Sequence, residues 1–241
     1  MTPIIFSDFD GTIVQVDVTD AILNEFAVSE WQEVEEEWLA GRMGSRECLR
    51  RQMALVRASV SDLNVLIDSV PLDPGFTEFL RWTREQRIPF YVVSDGFDYV
   101  IRRILRRCGV DGQLLNGTHL FSSSMSVENG TISVEFPHQP AACVHGCATC
   151  KPEVIRRRCA GHSPVVFIGD GLSDRFAVEE ADRVFAKDKL LAYCRDRAIL
   201  ATPFSTFADI ERNLRPGVGT GKAVRDDRGR TRRRPALIGA Q

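Results

Sequence analysis

The sequence predicts an α/β protein, a Rossmann-like doubly wound parallel sheet interrupted by a block of helices and a small β-hairpin. Three observations carry that prediction. Four short runs rich in Val, Ile and aromatic residues lack polar alternation, as strands buried on both faces do. Segments of helical periodicity separate them, the signature of strand–helix–strand units. Polar, carboxylate-rich residues follow three of those runs directly.

The strand-like runs are residues 4–8, 89–94, 164–169 and 183–186. Asp73-Pro74 forms a favourable N-cap and first-turn pair, and Phe76, Phe79 and Leu80 follow at helical spacing. Val100, Ile101, Ile104 and Leu105 repeat the pattern, and Gly109 suits the residue just past a helix end. Lys151-Pro152 opens a further helix, and Phe176, Ala177 and Ala181 line another. Between the first two strands, Ile22/Leu23/Phe26, Trp31/Val34/Trp38, Leu49/Met53/Val56 and Leu63/Leu66/Ile67 predict consecutive helices. In residues 119–136, Asn129-Gly130 predicts the turn of a hairpin. The expected division is an α/β core of residues 1–16 and 72–214, a helical cap of residues 17–71, and a basic, disordered tail of residues 215–241.

Composition bounds the class. With 241 residues, 44% of them apolar and 27% charged, collagen-like, disordered and coiled-coil architectures are excluded for most of the chain. Such a chain buries roughly 70–75% of its unfolded surface and needs no disulfide staples. No apolar run approaches the ~20 residues of a membrane span, and the segment after Met1 has no basic, signal-like start. Cys48, Cys108, Cys159 and Cys194 are isolated among the seven cysteines, which suits reduced thiols and a cytoplasmic setting. The net charge of −2 conceals an acidic body and a tail with eight Lys or Arg against two Asp. That tail is read as a solvated terminus, and no nucleic-acid partner is expected. Oligomeric state leaves no trace in the sequence.

Asp8-Phe9-Asp10-Gly11-Thr12 follows the first strand, and Ser94-Asp95-Gly96 closes the second. Gly169-Asp170-Gly171-Leu172-Ser173-Asp174 closes the third, and Lys151 opens the helix leading into it. In open α/β sheets the ligand crevice lies at the carboxyl ends of the strands, so these groups converge there. On extended backbone Asp8 and Asp10 share a side while Phe9 faces away. Several carboxylates at one crevice repel one another unless a cation is present, and all-oxygen donors favour Mg²⁺ held together with a substrate phosphate. A lysine, a serine hydroxyl and glycine-flanked N–H groups complete an anion site. The combination describes phosphoryl transfer to an aspartate.

These four motifs, in this order, resemble those of the haloacid dehalogenase superfamily of phosphatases, and the helical insert resembles the cap of its phosphoserine phosphatase-like branch. The stretches Ile88-Pro89-Phe90-Tyr91-Val92-Val93, Pro137-His138, Cys147-x-x-Cys150-Lys151-Pro152 and Phe185-Ala186-Lys187-Asp188 resemble the methionine-salvage phosphatases within that branch. Asp95 departs from the pattern, which more often has a small residue there. The resemblance implies that Asp8 is the nucleophile and Asp10 the general acid and base. It implies Mg²⁺ on Asp8, Asp170 and the Asp10 backbone carbonyl, and Lys151 as the neutraliser of charge. Ser94 and the Gly96 N–H are then phosphate ligands, and Asp174 a supporting group. The implied partner is a small-molecule phosphate ester, 2-hydroxy-3-keto-5-methylthiopentenyl-1-phosphate, with phosphoserine as the alternative, for which Arg42, Arg46 and Arg50 of the cap are available. An inert scaffold that binds zinc or nucleic acid is the alternative from another class. Asp17 either faces the substrate or caps a helix.

Cys143, Cys147 and Cys150, with His138 and His145 nearby, have ligand types suited to a structural Zn²⁺ on Cys143, Cys147, Cys150 and His138. The competing reading is three reduced thiols in a loop.

Overall fold

The computed structural model describes residues 1–110, 112, 119–128, 130–159 and 163–215. Asn129 of the expected hairpin turn and the tail beyond Arg215 lie outside them. Among the described residues a seven-stranded sheet has the order β4-β3-β2-β1-β5-β6-β7. The strands are β1 (Ile4–Ser7), β2 (Phe90–Phe97), β3 (Leu120–Glu128), β4 (Thr131–Glu135), β5 (Val165–Gly169), β6 (Arg183–Ala186) and β7 (Ala201–Pro203). Every pairing is parallel except β3 with β4. The two-stranded hairpin is therefore no separate ornament, since β3 also joins β2 and carries the hairpin onto the edge of the main sheet.

Alternation along β1 shows why these runs lack polar residues. Ile5 belongs to the core on one face of the sheet and Phe6 to the core on the other, both fully buried. The first core is closed by α5 (Phe76–Glu85), α6 (Asp98–Arg107) and α9 (Phe207–Leu214), through Phe76, Phe79, Ile104 and Phe207. The second is closed by α7 (Lys151–Arg158) and α8 (Asp188–Asp196), through Ile155, Leu190 and Cys194. Helices on both faces make the sheet doubly wound.

Four helices intervene between β1 and β2: α1 (Val18–Phe26), α2 (Trp31–Leu39), α3 (Ser45–Met53) and α4 (Val60–Ser69). They start and stop by local chemistry. Asp17 caps α1 by accepting the Asp20 N–H, and Ser59 with Asp62 forms a capping box on α4. The block joins the core at an antiparallel bridge between Val14 and Leu72, and Ile22, Leu23, Leu63 and Ile67 merge with the first core.

Three details differ from the sequence expectation. The helix expected at Asp73-Pro74 begins at Phe76, because Asp73 does more than cap it. Its Oδ1 accepts N–H bonds from Gly75 at 2.8 Å and from Phe207 at 3.1 Å, tying the starts of α5 and α9 together. The helix expected through Phe176 and Ala181 is instead two short 3-10 turns, Leu172–Asp174 and Ala177–Glu180. Val56 lies past the end of α3 and pairs with Ala27 as a bridge. No helix among the described residues is long and apolar enough to cross a membrane.

Candidate active site

The chain runs from β1 to β2 and β3 on one side and reaches β5, β6 and β7 on the other, so the winding direction changes between β1 and β5. At the carboxyl end of that junction stand Asp8, after β1, and Asp170, after β5. Phe9 is fully buried, as strand alternation requires, leaving Asp8 and Asp10 on the crevice side. They line a cavity of about 360 Å³ with Ser94, Gly96 and Asp170.

Lys151 organises the floor. Its Nζ lies 2.8 Å from Asp8 Oδ2 and 2.5 Å from Asp174 Oδ1, and all three side chains are almost fully buried. Burial works against the ammonium, but Asp174, Asp8 and Asp95 push its pKa upward, so it stays charged. Asp174 is also fixed from the other side, since its Oδ2 accepts the N–H groups of Asp170 and Gly171 at 3.2 Å each. The lysine begins α7, so the rigid helix rather than a loop sets its position.

Asp8 Oδ1 accepts the Phe9 N–H at 2.7 Å, and Asp170 Oδ1 accepts the Thr12 hydroxyl at 2.5 Å. Ligand oxygens of Asp8, Asp170 and Asp174 all lie within 4.8 Å of one another, the one such metal-competent set found among the described residues. Burial, then the neighbouring Asp8, raises the Asp170 pKa to about 6. Asp174 is raised for the same two reasons. The donor set is thus hard, oxygen-only and short of positive charge, which fits Mg²⁺.

Asp10 turns toward the cap. Its Oδ1 accepts the N–H of Val18, the first residue of α1, at 3.1 Å. Burial and the carboxylates of Asp17 and Asp8 raise its pKa well above the usual range, favouring a held proton. Two glycines make room for these carboxylates. A Cβ at Gly96 would come 2.3 Å from Asp10 Oδ2, and one at Gly11, where φ is +65°, would come 2.3 Å from Asp170 Oδ2.

The Gly96 N–H, expected as a phosphate ligand, donates to Ser94 Oγ at 3.0 Å. Gly96 serves here as the gap that admits Asp10, and the bond leaves the Ser94 proton to donate into the cavity. Asp17 caps α1 and also lines the cavity, its pKa raised to about 7 by burial and by Asp20. Asp95, the departure from the motif, accepts the Thr149 N–H at 2.9 Å and bonds Ser45 of the cap. Its carboxylate thereby ties the start of α3 to the loop before α7.

Cys147 and Cys150 are buried and Cys143 half-buried, and the three thiols hydrogen-bond to one another. Cys150 caps α7, and its pKa falls to about 6, chiefly through the bond from Cys147. The His138 ring packs edge-on against Phe121 at 5.1 Å, and His145 stacks on Phe176 at 3.7 Å. The expected zinc set of Cys143, Cys147, Cys150 and His138 finds no support in this arrangement. The loop instead latches the cap: Gly146 O accepts the Arg46 N–H at 3.1 Å, and Ser45 Oγ accepts the Ala148 N–H at 3.0 Å.

Sequence reasoning gave no role to Thr12, Glu35, Gln52 or Lys187. Thr12 stands inside the first motif and could have been read there. The others reach the cavity only through tertiary packing.

The family model for haloacid dehalogenase-like hydrolases matches residues 5–179. The 2-hydroxy-3-keto-5-methylthiopentenyl-1-phosphate phosphatase of Geobacillus thermodenitrificans is 32% identical over 214 residues, spanning 88% of this chain and 94% of that protein. The protein of the same name from Bacillus cereus (strain ZK / E33L) is 31% identical, spanning 89% and 97%. Among solved structures, a substrate-bound phosphoserine phosphatase complex superposes with a TM-score of 0.69 at 20% identity, covering 89% of this chain and 99% of that one. At that identity the likeness speaks for the fold. The match across residues 5–179, which takes in Asp8, Asp10, Ser94, Lys151, Asp170 and Asp174, places this chain in the haloacid dehalogenase-like hydrolase family.

Proposed function

We propose that the protein is a Mg²⁺-dependent phosphatase that transfers the phosphoryl group of a small monoester to Asp8 and then to water. The observation that carries this reading is Lys151 Nζ between Asp8 and Asp174, in a floor otherwise made of carboxylates. An anionic ester approaches such a floor only where its charge and that of the nucleophile are both screened.

Asp8 holds one oxygen toward Lys151 and the other toward its own chain, a fixed orientation for in-line attack on phosphorus. Asp10, whose environment favours the protonated form, gives its proton to the leaving oxygen. It then takes one from the water that cleaves the aspartyl-phosphate. The Ser94 hydroxyl and the Lys151 ammonium hold phosphoryl oxygens, and Asp174 positions Lys151. Asp8, Asp170 and the Asp10 backbone carbonyl are the groups that would hold Mg²⁺, which screens the charge between ester and carboxylates. None of the seven cysteines forms a disulfide, consistent with a reducing, cytoplasmic setting.

The proposed substrate is 2-hydroxy-3-keto-5-methylthiopentenyl-1-phosphate, the molecule in the relatives' names. Where α2 and α3 form the cavity wall, the lining is Glu35, Trp38, Ser45, Cys48, Leu49 and Gln52, and none of Arg42, Arg46 and Arg50 is on it. Arg46 bonds Gln139 and Arg50 pairs with Glu47, both at the exposed surface. Those cap arginines are therefore not placed to meet a substrate carboxylate, and the cations on the cavity lining are Lys187 and Lys189 of the core. Side-by-side assays with Mg²⁺ should give the enol phosphate a kcat/KM at least about ten-fold above phosphoserine, a gap of ~1.4 kcal/mol. Equal or better turnover of phosphoserine overturns the substrate assignment.

A further inference from the structure

The cap wall of the cavity contains a polar pair that the chemistry at Asp8 leaves unexplained. Gln52, on α3, is only 2% exposed, an unusual burial for an amide side chain facing no charge of the catalytic floor. Its Nε2 donates to Glu35 Oε2, on α2, at 3.0 Å. The Cys48 thiol approaches the same oxygen at 3.8 Å. Burial, then Glu35 itself, lifts the Cys48 pKa to about 12, so this group is a thiol donor and not a thiolate.

Both donors thus converge on Oε2 of Glu35. No described residue bonds Glu35 Oε1 or Gln52 Oε1, and neither oxygen is sealed away without a partner. Both residues line the cavity, and two oxygens of the pair remain without a bond from the described residues. Burial raises the Glu35 pKa, and the Gln52 and Cys48 bonds and the nearby Lys189 pull it back, so the carboxyl acts as an acceptor in this wall. Trp38 and Leu49 supply apolar surface on the same wall.

Resting on the phosphatase reading above, we propose that Glu35 and Gln52 are specificity-determining residues. They hydrogen-bond the uncharged hydroxyl that the substrate carries beyond its phosphate, and Trp38 and Leu49 cover its apolar end. The Gln52 carbonyl and the remaining Glu35 oxygen are the acceptors for that hydroxyl. A carboxylate placed there would face two oxygens and no cap arginine. A saturated chain would leave both groups unpaired, and a site built to bond an oxygen discriminates strongly against a ligand that lacks one.

The test compares kcat/KM for 2-hydroxy-3-keto-5-methylthiopentenyl-1-phosphate with that for phenyl phosphate, which reports the floor but has no oxygen beyond its phosphate ester. The ratio of the two is the readout. Gln52→Leu and Glu35→Leu should each lower the ratio at least ten-fold, with the loss for the enol phosphate appearing mainly in KM. Glu35→Gln, which keeps an acceptor, should hold the ratio within three-fold. Should Gln52→Leu fail to fold by thermal melting, Glu35→Leu and Glu35→Gln carry the comparison. A ratio unchanged in the leucine variants overturns the proposal. So does a Glu35→Gln variant that falls as far as Glu35→Leu, since that result means a charge is read. A wild-type enzyme active on neither ester overturns the phosphatase reading instead, and activity on the aryl ester alone overturns both the substrate and the role of this pair.

Discussion

Replacing Asp170 by Asn should stabilise the metal-free protein and abolish most of its response to Mg²⁺. The oxygens of Asp8, Asp170 and Asp174 lie within 4.8 Å of one another, with Lys151 the one cation bonded to the set. At an effective dielectric near 20, two unit charges at that spacing repel by about 3–4 kcal/mol. The Asp170 pKa rises from 3.8 to about 6 through burial and then Asp8. That rise corresponds to about 3 kcal/mol between its two protonation states. Because Asp170 keeps some exposure to water, about 1–2 kcal/mol is the expected gain from the substitution. Asn keeps the shape and still accepts the Thr12 hydroxyl.

The sign follows from linkage. A carboxyl whose folded pKa is raised favours the fold fully below the unfolded pKa, and that contribution is lost as pH rises through about 6. The gain should therefore be complete at pH 8 and vanish near pH 4. Mg²⁺ at one hundred times its dissociation constant should add about 2.7 kcal/mol to the wild type and far less to the variant, so the order of stability reverses. Urea unfolding at pH 8, in EDTA and in saturating Mg²⁺, measures all four values. An Asp170→Asn protein less stable than wild type in EDTA, or equally stabilised by Mg²⁺, refutes the repulsion argument.

Gly96→Ala places a Cβ 2.3 Å from Asp10 Oδ2, so turnover should fall by roughly a hundred-fold or more while the melting temperature changes little. Kinetics and thermal melts on the one variant check both halves. Lys151→Met leaves Asp8 and Asp174 buried without their cation, and urea unfolding at pH 8 should show a loss of about 3–5 kcal/mol. The loss should shrink at pH 5, since burial and Asp8 already favour the protonated form of Asp174. Asp73→Ala removes acceptors from the starts of both α5 and α9 and should cost about 2–3 kcal/mol by the same measurement, with Asp73→Asn recovering most of it.

The fold was legible where local chemistry and burial agree. Asp8, Ser94 and Asp170 each follow an apolar run, and an apolar run covered on both faces can only be an interior strand, so the crevice could be placed from the sequence. The helical insert was legible for the same reason, through spacing such as Ile22, Leu23 and Phe26. The start of α5 was misplaced because Asp73 answers to Phe207, more than a hundred residues away. Ala177 and Ala181 have helical spacing, yet the segment forms only short 3-10 turns. Strand β7, only three residues long, is too short for any periodicity. Within the site, residue identities were readable but their division of labour was not. Gly96 could be assigned as a donor by motif, whereas its missing Cβ matters to Asp10 only once both are placed in space. Glu35 and Gln52 lie on different helices and share no sequence pattern, so only the packing of α2 on α3 brings them together.

The central claim is that Asp8 carries the phosphoryl group during turnover. Rapid quenching of the enzyme with saturating substrate, followed by borohydride reduction and peptide mass spectrometry, reads that directly, because reduction of an aspartyl-phosphate converts the residue to homoserine. The account predicts homoserine at position 8 alone, formed only with substrate and absent from the Asp8→Asn variant. Homoserine at another aspartate, or turnover at full rate with position 8 unmodified at every quench time, would contradict it.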